Sequence, residues 1–143
     1  RNEALRAGLQ VMPGAHDAVA AAYELTQGAI ACASGADRFK VEMQLTHVDL
    51  MPHFEGRIFS GHEMARTKPA PDVYLAAAAA LGVAPQHCAV VEDTVTGVMA
   101  GLAAGATVYG YSPSSAGHDA PQALLAAGAQ RVFTDMDALA GLL

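Results

Sequence analysis

The chain has 143 residues and a mass of 14.6 kDa, which is the size of one domain and excludes an arrangement with two independent cores. Hydrophobic residues make up 52% of it and charged residues 15%, so its apolar surface can offset the entropy of ordering, and a disordered chain is excluded. Its 8 basic residues are outnumbered by 14 acidic ones and form no run, which excludes nucleic-acid binding through a basic patch.

Neither a membrane span nor a secretory signal is expected. The longest apolar stretch, Tyr74–Ala84, is shorter than the roughly 20 residues that cross a bilayer. The chain opens on polar residues rather than on a basic region followed by an apolar core. Cys32 and Cys88 lie in separate apolar runs without CxxC spacing, which predicts two buried, reduced thiols. These features together favour a cytoplasmic protein with no membrane partner.

Short apolar runs alternate with longer helical patterns along the chain. The runs predict strands at Gly28–Ala33, Arg57–Ser60, Cys88–Val91, Thr107–Gly110 and Arg131–Phe133. The helical patterns cover residues 2–10, 15–26, 36–47, 72–81, 95–104, 121–127 and 135–142. Strands that alternate with crossover helices form a parallel sheet covered on both faces. The predicted fold class is therefore α/β, with a Rossmann-like parallel sheet and buried strands.

Several polar residues are expected to have no special role. The segment Ser112–His118 has the composition of a surface loop. The six histidines show no pair at zinc-ligand spacing on a helix, so they are expected to be solvated or to make incidental hydrogen bonds.

Polar residues also follow two of the predicted strands, at the sheet edge where ligands bind in parallel α/β folds. Ser34 and Gly35 end the first strand, where a hydroxyl and backbone N–H groups can contact an anion at the start of a helix. A plain helix N-cap is the alternative for Ser34. Glu92 and Asp93 end the third strand, and adjacent carboxylates repel each other unless a divalent cation lies between them and a substrate. Surface carboxylates that cap a helix are the alternative.

Lys68 is the one cation that a stiff loop would fix in place. It precedes Pro69 and Pro71, whose restricted φ angles limit the conformations of this segment. A solvated lysine is the alternative when the residue is considered alone.

The order and spacing of these motifs resembles the haloacid dehalogenase-like (HAD) hydrolase superfamily, and within it the β-phosphoglucomutase-like and phosphoglycolate phosphatase-like members. The resemblance rests on ACASGADRFK, TKPAPDVYLAAAAALGV and VVEDTVTGVMAGLAAGATVYGY, and it covers nearly the whole chain. It implies that Ser34, assisted by the N–H of Gly35, binds the transferring phosphoryl group. It implies that Lys68 offsets charge beside the phosphate and that Glu92 and Asp93 hold Mg²⁺, with Asp93 the better candidate for direct coordination.

The sequence departs from this family in one respect. Members open with a strand ending in Asp-x-Asp-Gly, which carries the phosphoryl-accepting nucleophile and the general acid/base, and a helical cap usually follows. This motif does not occur here. The resemblance implies that residues 1–12 correspond to the end of the cap and its linker, and that residues 13–143 correspond to the core. The resemblance places the missing strand between the strands that end at Ala33 and Val91.

The resemblance therefore predicts the C-terminal core portion of a Mg²⁺-dependent phosphatase or phosphomutase, which acts on a small phosphorylated metabolite through an aspartyl-phosphate. The chain alone is expected to be inactive. The alternative is a non-catalytic remnant that binds a partner or forms a homo-oligomer through its exposed sheet edge. A receiver-type or nucleotide-binding fold is disfavoured because neither GxGxxG after a strand nor GxxxxGK[ST] is present. Dehalogenation of 2-haloacids is disfavoured because that chemistry requires no metal, whereas Glu92 and Asp93 favour a metal-dependent reaction on phosphate esters.

Overall fold

The protein is described by a computed structural model that covers residues 15–113 and 118–143. The predicted helix at 2–10 and the proposed cap and linker at 1–12 lie outside the described residues. The helices are α1 (Ala15–Leu25), α2 (Arg38–His47), α3 (Met51–Phe54), α4 (Asp72–Leu81), α5 (Val95–Ala103), α6 (Pro121–Ala127) and α7 (Leu139–Leu142). The strands are β1 (Cys32–Ser34), β2 (Ile58–Ser60), β3 (Ala89–Glu92), β4 (Thr107–Tyr111) and β5 (Arg131–Phe133). Short 3-10 helices cover Gly61–Glu63, Pro85–His87 and Met136–Ala138.

The strands pair in parallel and form two separate sheets. In the first, β1 pairs with β2, and Ser34 lies opposite Ser60. In the second, β4 lies between β3 and β5, and its Tyr109 is aligned with both Val91 and Arg131. No ladder joins β1 to β3 within the described residues. The sheet is thus divided between β1 and β3, where the resemblance places a missing strand.

A cavity of about 650 Å³ lies at this division, and both sheets contribute to its walls. Ala31 and Ala33 line it from the β1 side, and Ala89 and Val91 line it from β3. The sequence predicts a fully buried third strand, but Ala89 is exposed and Val91 keeps 37% of its surface exposed. That expectation is wrong for these two residues, both of which line the cavity.

Helices cover both faces of the larger sheet, as predicted, and β4 shows how. Successive side chains of a strand point to opposite faces. Val108 packs with Val98 of α5 and Leu124 of α6 in one apolar cluster. Tyr111 packs in a second cluster with residues of α1, β5 and α7. The prediction of an α/β fold with a parallel sheet between helices is confirmed.

Local hydrogen bonding explains where observed and predicted boundaries differ. The first strand begins at Cys32 rather than at Gly28, because residues 26–30 form the turn that closes α1. In that turn Gly28 has a φ of 84° and its N–H donates to the carbonyl of Tyr23. Helix α2 begins at Arg38 because the carboxylate of Asp37 accepts the N–H of Lys40 and caps the first turn.

Several other elements follow their sequence signals, whereas α3 and the 3-10 turns at Gly61–Glu63 and Pro85–His87 correspond to no predicted element. Helix α4 is alanine-rich and ends at Gly82, which adopts a left-handed φ of 70°. The predicted helix at 135–142 is divided into a 3-10 turn and α7. Cys32 and Cys88 are free, as expected, but they are half-buried rather than fully buried. None of the described helices is both long and apolar enough to cross a membrane.

Candidate active site

Lys68 connects the carboxyl ends of the two sheets. Its ammonium donates to Oε2 of Glu92, at the end of β3, over 2.5 Å. The same Nζ lies 3.5 Å from the carbonyl oxygen of Ala33, next to Ser34 at the end of β1. The side chains of Lys68 and Glu92 are only 16% and 8% exposed. The alternative of a solvated lysine is therefore wrong, and the two motifs, 24 residues apart in the chain, meet at one edge.

The side chain of Glu92 is buried and contacts several neighbouring groups, so it is not exposed at the end of a helix. The hydroxyl of Tyr74, on α4, donates to Oε2 of Glu92, the same atom that accepts the hydrogen bond from Lys68. The Lys68 ammonium also lies 4.9 Å from the centre of the Tyr74 ring. On the other side, a Cβ added at Gly97 would lie 2.0 Å from Oε1 of Glu92. The N-cap of α5 is Thr94, whose hydroxyl accepts the N–H of Gly97. The alternative of a surface helix cap is therefore wrong for Glu92.

The surroundings of Tyr74 keep its phenol protonated. Burial raises the pKa of Tyr74 above its ordinary value, and the negative charge of Glu92 and the hydrogen bond to it raise the pKa further. A protonated phenol is a hydrogen-bond donor, which is the role that Tyr74 has toward Glu92. Burial also raises the pKa of the nearby Cys32 thiol, although the charge of Lys68 acts in the opposite direction.

The raised pKa of Tyr74 has a measurable effect on stability. An unfolded tyrosine ionises at about pH 10, so above that pH the folded protein retains a proton that the unfolded chain loses. The free energy of unfolding therefore falls as pH rises. In Tyr74→Phe we expect this decline to be shallower by up to about 1.4 kcal/mol per pH unit. Urea unfolding at a series of pH values above 9 measures it. Tyr23→Phe, at a position that is 38% exposed, is the control and should keep the wild-type slope. Equal slopes for Tyr74→Phe and the wild type would refute the assignment.

Asp93, the second acid of the pair, is more accessible, and a loop after β4 contacts it. Its side chain is 39% exposed, and its Oδ2 lies 2.7 Å from Nδ1 of His118. The N–H of Asp119 donates to the carbonyl of Asp93, while the Asp119 carboxylate accepts the N–H of Val95 in the first turn of α5. The hydroxyl of Ser112, a buried residue, donates to the carbonyl of Asp119. The expectation of a plain surface loop at Ser112–His118 is therefore wrong at both of its ends.

Ser34 closes a turn at the end of β1. Its hydroxyl accepts the N–H of Ala36 over 3.1 Å, and because α2 is capped by Asp37, the alternative of a helix N-cap is wrong for Ser34. Gly35 is exposed, and a Cβ added there would meet nothing within 4 Å. The fully buried Ser60, opposite Ser34 in the ladder, donates to the carbonyl of Ala36 over 2.6 Å. Ser60 thus supports the turn that presents Ser34.

Lys68 and Glu92 therefore meet at a rim formed by the carboxyl ends of β1 and β3, and Ser34 and Asp93 follow in the chain the two residues that Lys68 contacts. An ammonium and a hydroxyl there are complementary to an anion. No group of three or more metal-ligating side chains is found among the residues that the structure describes. Mg²⁺ is commonly held by one or two carboxylates together with water and phosphate oxygens, so the half-exposed carboxylate of Asp93 fits such an ion. Glu92 already accepts hydrogen bonds from Lys68 and Tyr74 and is less available to a metal.

Sequence reasoning did not single out the supporting residues Ser60, Tyr74, His118 and Asp119. Tyr74 carried a usable signal, because a partly buried tyrosine in an apolar helix needs a partner for its hydroxyl. His118 carried none, since it lies 25 residues from Asp93 and belongs to no periodic pattern. The expectation that all six histidines make only incidental contacts is wrong for this residue, whose side chain is 17% exposed.

Comparisons with known proteins agree with this geometry. A family model described as haloacid dehalogenase-like hydrolase matches residues 1–105. Hexitol phosphatase B from Escherichia coli (strain K12) is 39% identical over 95 residues, which are 66% of this chain and 41% of that protein. The chain thus spans less than half the length of this curated relative.

Solved structures show the same fold. The crystal structure of a HAD family hydrolase from Deinococcus radiodurans R1, with bound phosphate and sodium, has a TM-score of 0.86 and 35% identity. The match covers 100% of this chain and 66% of that one. A predicted β-phosphoglucomutase from Thermotoga maritima has a TM-score of 0.83 and 26% identity, with coverage of 99% and 63%. The resemblance to HAD hydrolases that the sequence motifs indicate is confirmed.

Proposed function

Because this chain belongs to the haloacid dehalogenase-like hydrolase family, we propose that it forms most of the core domain of a Mg²⁺-dependent phosphatase or phosphomutase. Its relatives include phosphatases, and hexitol phosphatase B suggests a small phosphorylated metabolite as the substrate. The observation that carries the proposal is the ion pair between Lys68 and Glu92. It brings the end of β3 against the end of β1, where Ser34 lies.

In this proposal each residue at the rim has a distinct role. The hydroxyl of Ser34 and the N–H of Gly35 bind the phosphoryl oxygens, and the ammonium of Lys68 offsets their negative charge. Asp93 would hold Mg²⁺, which supplies further positive charge to the transferring phosphoryl group. Glu92 orients Lys68 and Tyr74 orients Glu92. Positioning and charge neutralisation supply most of the acceleration in phosphoryl transfer, so such a rim suits that chemistry.

We also propose that turnover requires a strand ending in Asp-x-Asp-Gly, a motif that does not occur in this sequence. The cavity between β1 and β3 has an apolar wall on either side, and each of these strands has a ladder partner on one side only in the part of the chain that the structure describes. A parallel strand seated there would pair with both edges. If it ended in Asp-x-Asp-Gly, its carboxylates would lie at the rim beside Lys68.

Hydrolysis of p-nitrophenyl phosphate with Mg²⁺ tests this proposal. The chain as given is expected to show no turnover, and a fusion that adds an N-terminal strand ending in Asp-x-Asp-Gly is expected to restore it. In the fusion, Lys68→Ala should lower kcat by about 10²- to 10³-fold, as for loss of one stabilising donor. Turnover by the bare chain that is lost in Asp93→Asn would contradict the need for the strand. A folded fusion without turnover would contradict the phosphatase assignment.

A second candidate is a non-catalytic module that self-associates through the divided sheet, because unpartnered strand edges are natural association sites. Light scattering over a range of concentrations separates the two. A mass that doubles with concentration favours the module. A monomer whose melting temperature rises with Mg²⁺ and inorganic phosphate together favours the ligand site.

A further inference from the structure

His118 contacts the rim without belonging to the motifs that identify it. Its Nδ1 lies 2.7 Å from Oδ2 of Asp93, and its ring packs edge-on against that of Tyr111 at 6.0 Å between centres. A carboxylate oxygen accepts hydrogen bonds, so in this contact Nδ1 is the donor and Oδ2 of Asp93 is the acceptor. One oxygen of the Asp93 carboxylate is thereby engaged by the imidazole.

The backbone beside His118 is itself fixed to the strand and helix that carry Asp93. Asp119 donates its N–H to the carbonyl of Asp93 and accepts the N–H of Val95 on its carboxylate at 2.8 Å. Ser112 holds the other side of the loop through a 2.8 Å hydrogen bond to the carbonyl of Asp119. Three hydrogen bonds that do not involve the Asp93 side chain thus hold Asp119, the residue next to His118.

We propose that His118 is a positioning residue for the metal site, and that it orients the Asp93 carboxylate so that Oδ1 is the atom left for a divalent cation. This inference rests on the proposed function, in which Asp93 is a ligand of Mg²⁺. Hydrogen-bond partners of this kind fix the rotamer of a metal ligand, and their loss typically weakens metal binding by about 10- to 100-fold. His118 itself does not contact the substrate or the metal.

Binding of Mn²⁺ to the full chain in the presence of inorganic phosphate, followed by water proton relaxation, tests the proposal. His118→Ala is expected to raise the Kd by about 10-fold or more. His118→Asn, whose amide can donate from nearly the position of Nδ1, should recover much of the affinity. His87→Ala is the matched control, since His87 is an exposed histidine at the amino end of β3. It should bind as the wild type does.

The outcomes separate this inference from the proposed function. If Asp93→Asn loses Mn²⁺ while His118→Ala binds it normally, the positioning role is overturned and the metal site stands. If neither the wild type nor Asp93→Asn binds Mn²⁺, the metal assignment of the proposed function fails and the inference fails with it. Imidazole ¹⁵N shifts provide a readout without metal. The proposal requires that Nδ1 of His118 carries a hydrogen and that its ¹⁵N shift changes in Asp93→Asn. A ring that carries a hydrogen only at Nε2 would overturn it.

Discussion

Replacing Lys68 by methionine is expected to lower the free energy of unfolding by about 3 kcal/mol. The substitution leaves the Glu92 carboxylate, whose side chain is 8% exposed, without its ammonium partner. A buried charge that loses its partner is strongly destabilising, and the remaining hydrogen bond from the hydroxyl of Tyr74 offsets only part of the loss. Urea unfolding at pH 7 measures the difference directly.

A double variant distinguishes the loss of the ion pair from a loss of packing. Lys68→Met combined with Glu92→Gln removes both charges and is expected to recover most of the lost stability. Lys40→Met removes the other lysine of the chain, in the first turn of α2, and should change stability by less than about 0.5 kcal/mol. If Lys68→Met were as stable as the wild type, the pair would not be buried as described.

The second large effect is expected at Gly97, where alanine should destabilise the protein by about 3 kcal/mol. An added Cβ would lie 2.0 Å from Oε1 of Glu92, which cannot withdraw freely because Lys68 and Tyr74 hold its other oxygen. The clash outweighs the gain of roughly 1 kcal/mol that alanine normally brings to a helix. Denaturant unfolding of the variant measures the net effect.

Gly141→Ala is the matched control for Gly97→Ala. Gly141 is also in a helix, and a Cβ added there meets nothing within 4 Å. This variant should be as stable as the wild type or slightly more stable. A Gly97→Ala protein that gains stability to the same extent would show that Glu92 does not fill the space above α5.

Much of the fold follows from local sequence signals. Helices Asp72–Leu81 and Pro121–Ala127 and the strand Arg131–Phe133 have the predicted limits, because prolines, glycines and apolar runs mark their ends clearly. The start of β1 was predicted four residues early. Apolar composition does not distinguish a strand from the apolar turn after α1, which depends on a hydrogen bond between Gly28 and Tyr23.

The site residues that belong to sequence motifs were predictable, whereas those that are placed by tertiary contacts were not. Ser34, Lys68, Glu92 and Asp93 follow from their order in the chain, and the structure brings Lys68 and Glu92 together at the strand ends. Their roles toward phosphate and Mg²⁺ stay predictions. The burial of Glu92 against Gly97 and the contact of His118 with Asp93 depend on how α5 and the loop after β4 pack, which no local pattern encodes.

A crystal structure of the chain with Mg²⁺ and inorganic phosphate would test the central claim most directly. We expect a phosphate ion within hydrogen-bond distance of both the Ser34 hydroxyl and the Lys68 ammonium, and a cation on the carboxylate of Asp93. A phosphate bound elsewhere, with Ser34, Lys68 and Asp93 in contact only with water, would contradict the assignment of this rim as the phosphoryl site.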